Sequence, residues 1–101
     1  MQKGWFADVG IMSKRIFFKI NTGAEANIMS YRTFRKIGFA EQQLKHVAIS
    51  LIGFNQSRAK PLGSIKLPCQ VDGKTYNIKF FVMEESPDLL GIETERRLQR
   101  C

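Results

Sequence analysis

The chain has 101 residues, of which 44% are hydrophobic and 25% are charged, and this predicts one globular domain over residues 1–101. Its apolar runs span only a few residues, far short of the about 20 that cross a bilayer, so we expect no contact with a membrane. Sixteen Lys and Arg against nine Asp and Glu leave a net charge of +7, which keeps a nucleic-acid-binding barrel as an alternative. The basic residues are scattered and not interleaved with aromatic residues, so nucleic acid is not the partner that we favour.

The cysteine and histidine content predicts neither a disulfide framework nor a metal site. The two cysteines are Cys69, on the apolar face of a predicted strand, and Cys101. The one histidine, His46, has no Cys or Asp at ligand spacing, so no metal or other cofactor is expected. Nothing calls for an oxidising compartment and the first residues lack the apolar core of a secretory signal, so we expect an intracellular location.

The chain begins with two predicted strands, over residues 5–9 and 15–20, separated by a turn within residues 10–14. Trp5 and Phe6 open the first strand and could pack in the core or at the seam of a dimer; we expect the core. The second strand is the apolar run that leads into the most informative motif of the chain.

A loop, a short strand and a helix follow. Residues 21–25 are a predicted loop, because Asn, Thr and Gly favour turns, and residues 27–29 are a predicted short strand. Ser30 is a suitable N-cap and Gly38 a suitable C-terminal stop, so a helix is predicted over Tyr31–Ile37.

Alternation dominates the second half of the chain. Val47, Ile49 and Leu51 are predicted to share one face of a strand that begins at His46, and residues 53–57 to form a hairpin tip. Asp72-Gly73 is a strong two-residue turn signal between two further strands. Their predicted inward faces carry Ile65, Leu67, Cys69 and Val71 in the first strand and Tyr76, Ile78, Phe80 and Val82 in the second. A turn at residues 86–88 and a helix over residues 93–99 complete the chain.

The motif Asn21-Thr22-Gly23-Ala24 carries the chemistry of interest, because Asp in place of Asn21 would complete the active-site signature of an aspartic protease. Such proteolysis needs two carboxylates that share one proton, so that one activates water and the other polarises the scissile carbonyl. A chain with one such loop would need a second copy, related by a two-fold axis, to supply the pair. None of the Asp residues, Asp8, Asp72 and Asp88, lies on this loop, so we expect none of them to replace the missing acid.

Four segments in order resemble the retropepsins, the protease domains of retroviruses and LTR retrotransposons, and especially the Ty3/Gypsy type or a domesticated relative. These segments are residues 17–28, 31–38, 51–56 with 61–63, and 80–82 with 89–91. The resemblance implies an all-β closed barrel with one or two short helices, an obligate homodimer and a peptide or polyprotein substrate. It also places the chain in the cytoplasm or within a retroelement particle.

Position by position, the resemblance implies a catalytic loop. Asn21 stands where the family has its catalytic Asp, and Thr22 and Gly23 would complete the loop beneath it. Ala24 and Glu25 would line the cleft and contact the substrate backbone.

The resemblance also implies a flap and a support for the loop. Gly53, Phe54 and Asn55 would form the flap tip that contacts substrate, and Leu90 and Gly91 would support the catalytic loop from behind. The function implied is that of an aspartic endopeptidase that processes polyproteins, with its active site shared across a homodimer. In this form Asn21 is expected to abolish catalysis, whether the amide is engineered or natural. The alternative is a natural pseudoprotease that acts as a dimerisation or peptide-binding module.

Overall fold

The computed structural model describes residues 2–3, 6–21, 23, 25–52 and 58–99. The strands in this part of the chain are β1 (Gln2–Lys3), β2 (Phe6–Ile11), β3 (Lys14–Ile20), β4 (Ile28–Ser30), β5 (Leu51–Ile52), β6 (Arg58–Ala59), β7 (Gly63–Val71), β8 (Lys74–Met83) and β9 (Leu89–Leu90). The helices are α1 (Tyr31–Ile37) and α2 (Ile92–Gln99), with a 3-10 turn over Glu41–Gln43.

Six strands close into a barrel. The sheet runs in the order β1-β2-β3-β9-β4-β8-β7, and β2 returns to β7 where Gly10 pairs with Gln70. The β3–β9 and β4–β8 pairs are parallel and the others are antiparallel. This arrangement confirms the predicted all-β closed barrel with two short helices.

The barrel interior is filled by the side chains of alternate residues along the strands, which point inward. Phe18 of β3 and Phe80 of β8 are fully buried and stack with their ring centroids 5.3 Å apart. Of the side chains predicted to face inward from β7 and β8, Leu67, Cys69, Val71, Ile78, Phe80 and Val82 are buried. The other two, Ile65 and Tyr76, are partly buried and pack against the core. Phe6 is a correction: it lies on the outer face of β2 and is 51% exposed, because its neighbour Ala7 takes the inward position.

Two hairpins have two-residue turns in which both central residues take positive φ. At Asp72-Gly73 the φ angles are 51° and 78°, as predicted from the Asp-Gly pair. At Met12-Ser13 they are 51° and 69°, although neither residue favours this region. The predicted first strand therefore ended too early, because the tight turn lets β2 continue to Ile11.

Helix α1 begins and ends where its capping residues predict. The Ser30 hydroxyl accepts a hydrogen bond from the Thr33 backbone N–H at 3.1 Å. Gly38 adopts φ 116° and donates its N–H to the Arg35 carbonyl at 3.0 Å, which closes the helix with a left-handed residue. Phe34 and Ile37 are buried on the core side.

The segment from residue 46 to 50 does not form the predicted strand. Within the described residues, strand pairing near this segment is limited to a bridge between Lys45 and Ser64 and to the short β5–β6 pair. Leu51 packs on a small cluster, but Ile49 is 45% exposed. The strand predicted from alternation alone was therefore wrong, because a strand needs a neighbouring strand as well as an apolar face. The predicted hairpin tip at residues 53–57 lies outside the described residues.

Helix α2 packs against the barrel and starts one residue before its predicted position. Thr94 and Glu95 are buried, and Leu98 packs against the core. The Arg97 guanidinium donates to the Asn77 carbonyl of β8 at 3.2 Å, where that strand has no β4 partner. No helix within the described residues has the length and apolarity to cross a membrane.

Candidate active site

Asn21 lies at the point where the chain leaves β3. Ile20 pairs with Leu90 of β9, and the Asn21 backbone N–H then donates to the Leu90 carbonyl at 3.0 Å. The side-chain Oδ1 of Asn21 accepts from the Gly23 N–H at 3.1 Å, an i to i+2 contact of the kind that stabilises tight turns. The half-buried amide is therefore held against its own loop.

The amide of Asn21 limits what this loop can do chemically. It offers an acceptor oxygen and two donor hydrogens, but it neither gains nor loses a net proton near neutral pH. It therefore cannot act as a general base toward water or share a proton with a second copy. Glu25, the carboxylate within the loop, is exposed to solvent.

Gly23 is exposed within the candidate loop. A Cβ built there would meet only Asn21 Oδ1 among the described residues, at the ordinary contact distance of 3.5 Å. Crowding by these residues therefore does not call for glycine at this position.

The other predicted site residues fall into two groups. Leu90 and Gly91 are buried directly behind Asn21, although their functional role stays a prediction. Thr22, Ala24, Gly53, Phe54 and Asn55 lie outside the described residues, so their roles stay predictions as well.

Asn27 was missed by the sequence analysis, although it makes three hydrogen bonds beside this loop. Its Oδ1 accepts from the Gly91 N–H at 2.9 Å and its Nδ2 donates to the Lys79 carbonyl at 3.0 Å. Its backbone carbonyl accepts from the Phe81 N–H at 2.9 Å. The available signal was a polar amide at the start of an apolar strand, where burial requires partners.

Asp88 was predicted only as a turn residue, but it joins three elements. Its carboxylate accepts from the Ser30 backbone N–H at 2.7 Å and from the Thr33 hydroxyl at 2.6 Å. Its backbone carbonyl accepts from the Lys19 N–H at 2.9 Å. Asp88 therefore fixes one end of β9 against α1 and β3, at the opposite end from Asn27.

The remaining acids lie away from the loop, as predicted. Asp8 forms an exposed pair with Arg15, with contacts of 3.0 and 2.8 Å, and the hydrogen bond from Arg15 lowers the pKa of Asp8. Asp72 lies in the β7–β8 turn. In the described ranges, no three His, Cys, Asp or Glu side chains come together as a metal site would require.

Comparison with known proteins finds similarity at the level of structure. No family model matches the chain, and no curated protein matches its sequence. The retroviral protease-like domain of Ddi1 from Leishmania major matches with a TM-score of 0.71 and 20% identity, over 92% of this chain and 75% of that one. EIAV protease, in complex with the inhibitor HBY-793, matches with a TM-score of 0.75 and 14% identity, over 97% and 90%.

A third match comes from a bacterium. A retropepsin-like aspartic protease from Rickettsia conorii has a TM-score of 0.66 and 24% identity, over 91% of this chain and 69% of that one. All three similarities extend over at least 91% of the chain. The chain therefore has the fold of the retropepsin-like protease domains.

Proposed function

We propose that this chain is an aspartic endopeptidase domain of the retropepsin type, which assembles its active site as a homodimer and in this form binds peptides without cleaving them. The observation that carries the proposal is the position of Asn21. It directly follows β3 and donates its backbone N–H to the Leu90 carbonyl in a chain with a retropepsin fold, and by the sequence resemblance this is the position of the catalytic Asp. A form with Asp at this position would act on polyproteins.

The chemistry follows from exchanging a carboxylate for an amide of almost the same size. Two amides facing each other can hydrogen-bond to each other and to a peptide, so dimerisation and peptide binding are retained. The step that is lost is the removal of a proton from water. The glycine at position 23 supports the homodimer, because a residue without a side chain lets the backbone of a second copy approach closely.

The test is to restore the acid. Asn21→Asp is expected to cleave members of a quenched-fluorescence peptide library about a hundredfold or more faster than the unmodified chain, with inhibition by pepstatin. Asn77→Asp makes the same chemical change at an exposed position on β8 and should leave the chain inactive. A folded, dimeric Asn21→Asp sample without activity would contradict the proposal.

A second candidate treats the amide as the native group of a pseudoprotease that serves as a dimerisation or peptide-binding module. It is favoured by the contact from the Gly23 N–H to Asn21 Oδ1, which satisfies the amide oxygen within the loop. The codon at position 21 of the encoding gene separates the two candidates, since an Asp codon rules out the pseudoprotease.

A further inference from the structure

One peptide group is held from both sides by the two asparagines that flank the candidate loop. The carbonyl and the N–H between Leu90 and Gly91 belong to the same planar unit and point in opposite directions. The Asn21 N–H donates to the carbonyl at 3.0 Å, and Asn27 Oδ1 accepts from the N–H at 2.9 Å. Both ends of the loop are therefore tied to a single rigid group.

These contacts form a chain of aligned amides. The Asn21 N–H donates to the Leu90–Gly91 peptide, that peptide donates to the Asn27 side chain, and Nδ2 of Asn27 donates to the Lys79 carbonyl of β8 at 3.0 Å. Successive amides in such a chain polarise one another, so each hydrogen bond strengthens the next. The chain ends on β8, a long strand paired along its length with β7.

We propose that Asn27 is the positioning residue for the catalytic position, holding Asn21 in place through the Leu90–Gly91 peptide. This inference rests on the proposed function for its catalytic consequence, but its structural step can be tested without it. Asn27 does not act on substrate. It fixes the position and orientation of the backbone from which the side chain at position 21 extends.

The chemistry of this position selects asparagine. The side chain must accept from Gly91 and donate to Lys79 within one short planar group, which an amide can do. An ionised carboxylate keeps the acceptor but sets an oxygen against the Lys79 carbonyl. Leucine, of similar size, removes both contacts and leaves the buried Gly91 N–H without a partner.

Amide hydrogen exchange in the otherwise unmodified chain tests the structural step. With Asn27→Leu, the Gly91 and Asn21 amides are expected to exchange about tenfold or more faster, while the amides of the β7–β8 ladder stay protected. Asn77→Leu, at an exposed site on β8, is the matched control and should change neither amide. Unchanged protection of both amides in Asn27→Leu would overturn the proposal.

A second variant separates positioning from general loss of stability. In Asn27→Asp, the introduced carboxyl can donate to Lys79 only when it is protonated. The NMR shifts of the Gly91 and Asn21 amides should therefore return toward their unmodified values as the pH falls through the pKa of that carboxyl. Shifts that match the unmodified chain when the carboxyl is ionised, or that never recover, would contradict the role of the donated hydrogen bond.

Activity in the Asn21→Asp background tests the catalytic consequence. Adding Asn27→Leu is expected to lower kcat about tenfold or more, with a smaller change in KM, while the dimer is retained. A kcat equal to that of Asn21→Asp alone would overturn the positioning role. If Asn21→Asp itself cleaves nothing, the proposed function fails, and the exchange measurements still decide the structural step.

Discussion

At the scale of single residues, Cys69 makes the free energy of unfolding depend on pH. Its side chain has no exposed surface, and burial raises the pKa of the thiol from 9.0 to about 12. The unfolded chain releases this proton at lower pH than the folded chain does. The stabilising contribution of the neutral thiol is therefore complete below pH 9.0 and is lost as the pH rises toward about 12.

Comparison with Cys69→Ala isolates the thiol, because all other ionisable groups are common to both variants. The stability advantage of the unmodified chain over Cys69→Ala should shrink between about pH 9 and pH 12, by at most about 1.4 kcal/mol per pH unit. Urea unfolding at several pH values measures it. An advantage that stays constant up to about pH 11 would show that the thiol is not desolvated in this way.

The Met12-Ser13 turn offers a second prediction for a single residue. Ser13 has φ 69°, a region that costs a residue with a Cβ about 1–2 kcal/mol. Ser13→Gly should raise the free energy of unfolding by about 0.5–1 kcal/mol, because relief of this strain exceeds the entropy cost of glycine. Ser13→Ala keeps the strain and serves as the control, so an equal gain in both variants would refute the explanation.

At the scale of elements, Asp88 joins α1 to β9. Asp88→Ala leaves the Ser30 N–H and the Thr33 hydroxyl without their acceptor, and should cost about 1–3 kcal/mol of stability. Asp88→Asn keeps one acceptor oxygen and should cost less. Chemical denaturation compares the two, and an Asp88→Ala variant as stable as the unmodified chain would contradict this role.

The start of β7 is an element boundary where only glycine fits. A Cβ on Gly63 would lie 2.7 Å from the Cβ of Leu44 and 2.9 Å from the Lys45 carbonyl, and this backbone is held by the bridge to Ser64. Gly63→Ala should therefore destabilise the chain by about 1–3 kcal/mol. Gly10→Ala is the control, since its Cβ would meet Gln70 at an ordinary 3.6 Å. Equal effects of the two substitutions on the thermal midpoint would argue against the close contact.

At the scale of the whole molecule, the prediction concerns assembly. A chain of 11.6 kDa buries a limited core, and the proposed function requires two copies. We expect a sedimenting species of about twice the chain mass and a thermal midpoint that rises with protein concentration, because dimerisation stabilises by mass action. A monomer at every concentration would contradict the shared active site.

Local chemistry determined much of this fold from the sequence by itself. The Ser30 and Gly38 caps set the bounds of α1, and Asp72-Gly73 set the β7–β8 turn. These signals work because each depends on contacts between residues a few positions apart. The closed barrel was predicted from the resemblance of four ordered segments to the retropepsins.

Only the tertiary structure decided what holds the candidate loop in place. Asn27 meets Gly91 across 64 residues of sequence, and Asp88 meets Ser30 across 58. Neither partner can be inferred from local pattern, because the contacts exist only once the barrel has closed. The sequence by itself therefore determined the type of fold and the amide at position 21, whereas the closed barrel decided which side chains bond to the strands and peptide groups around it.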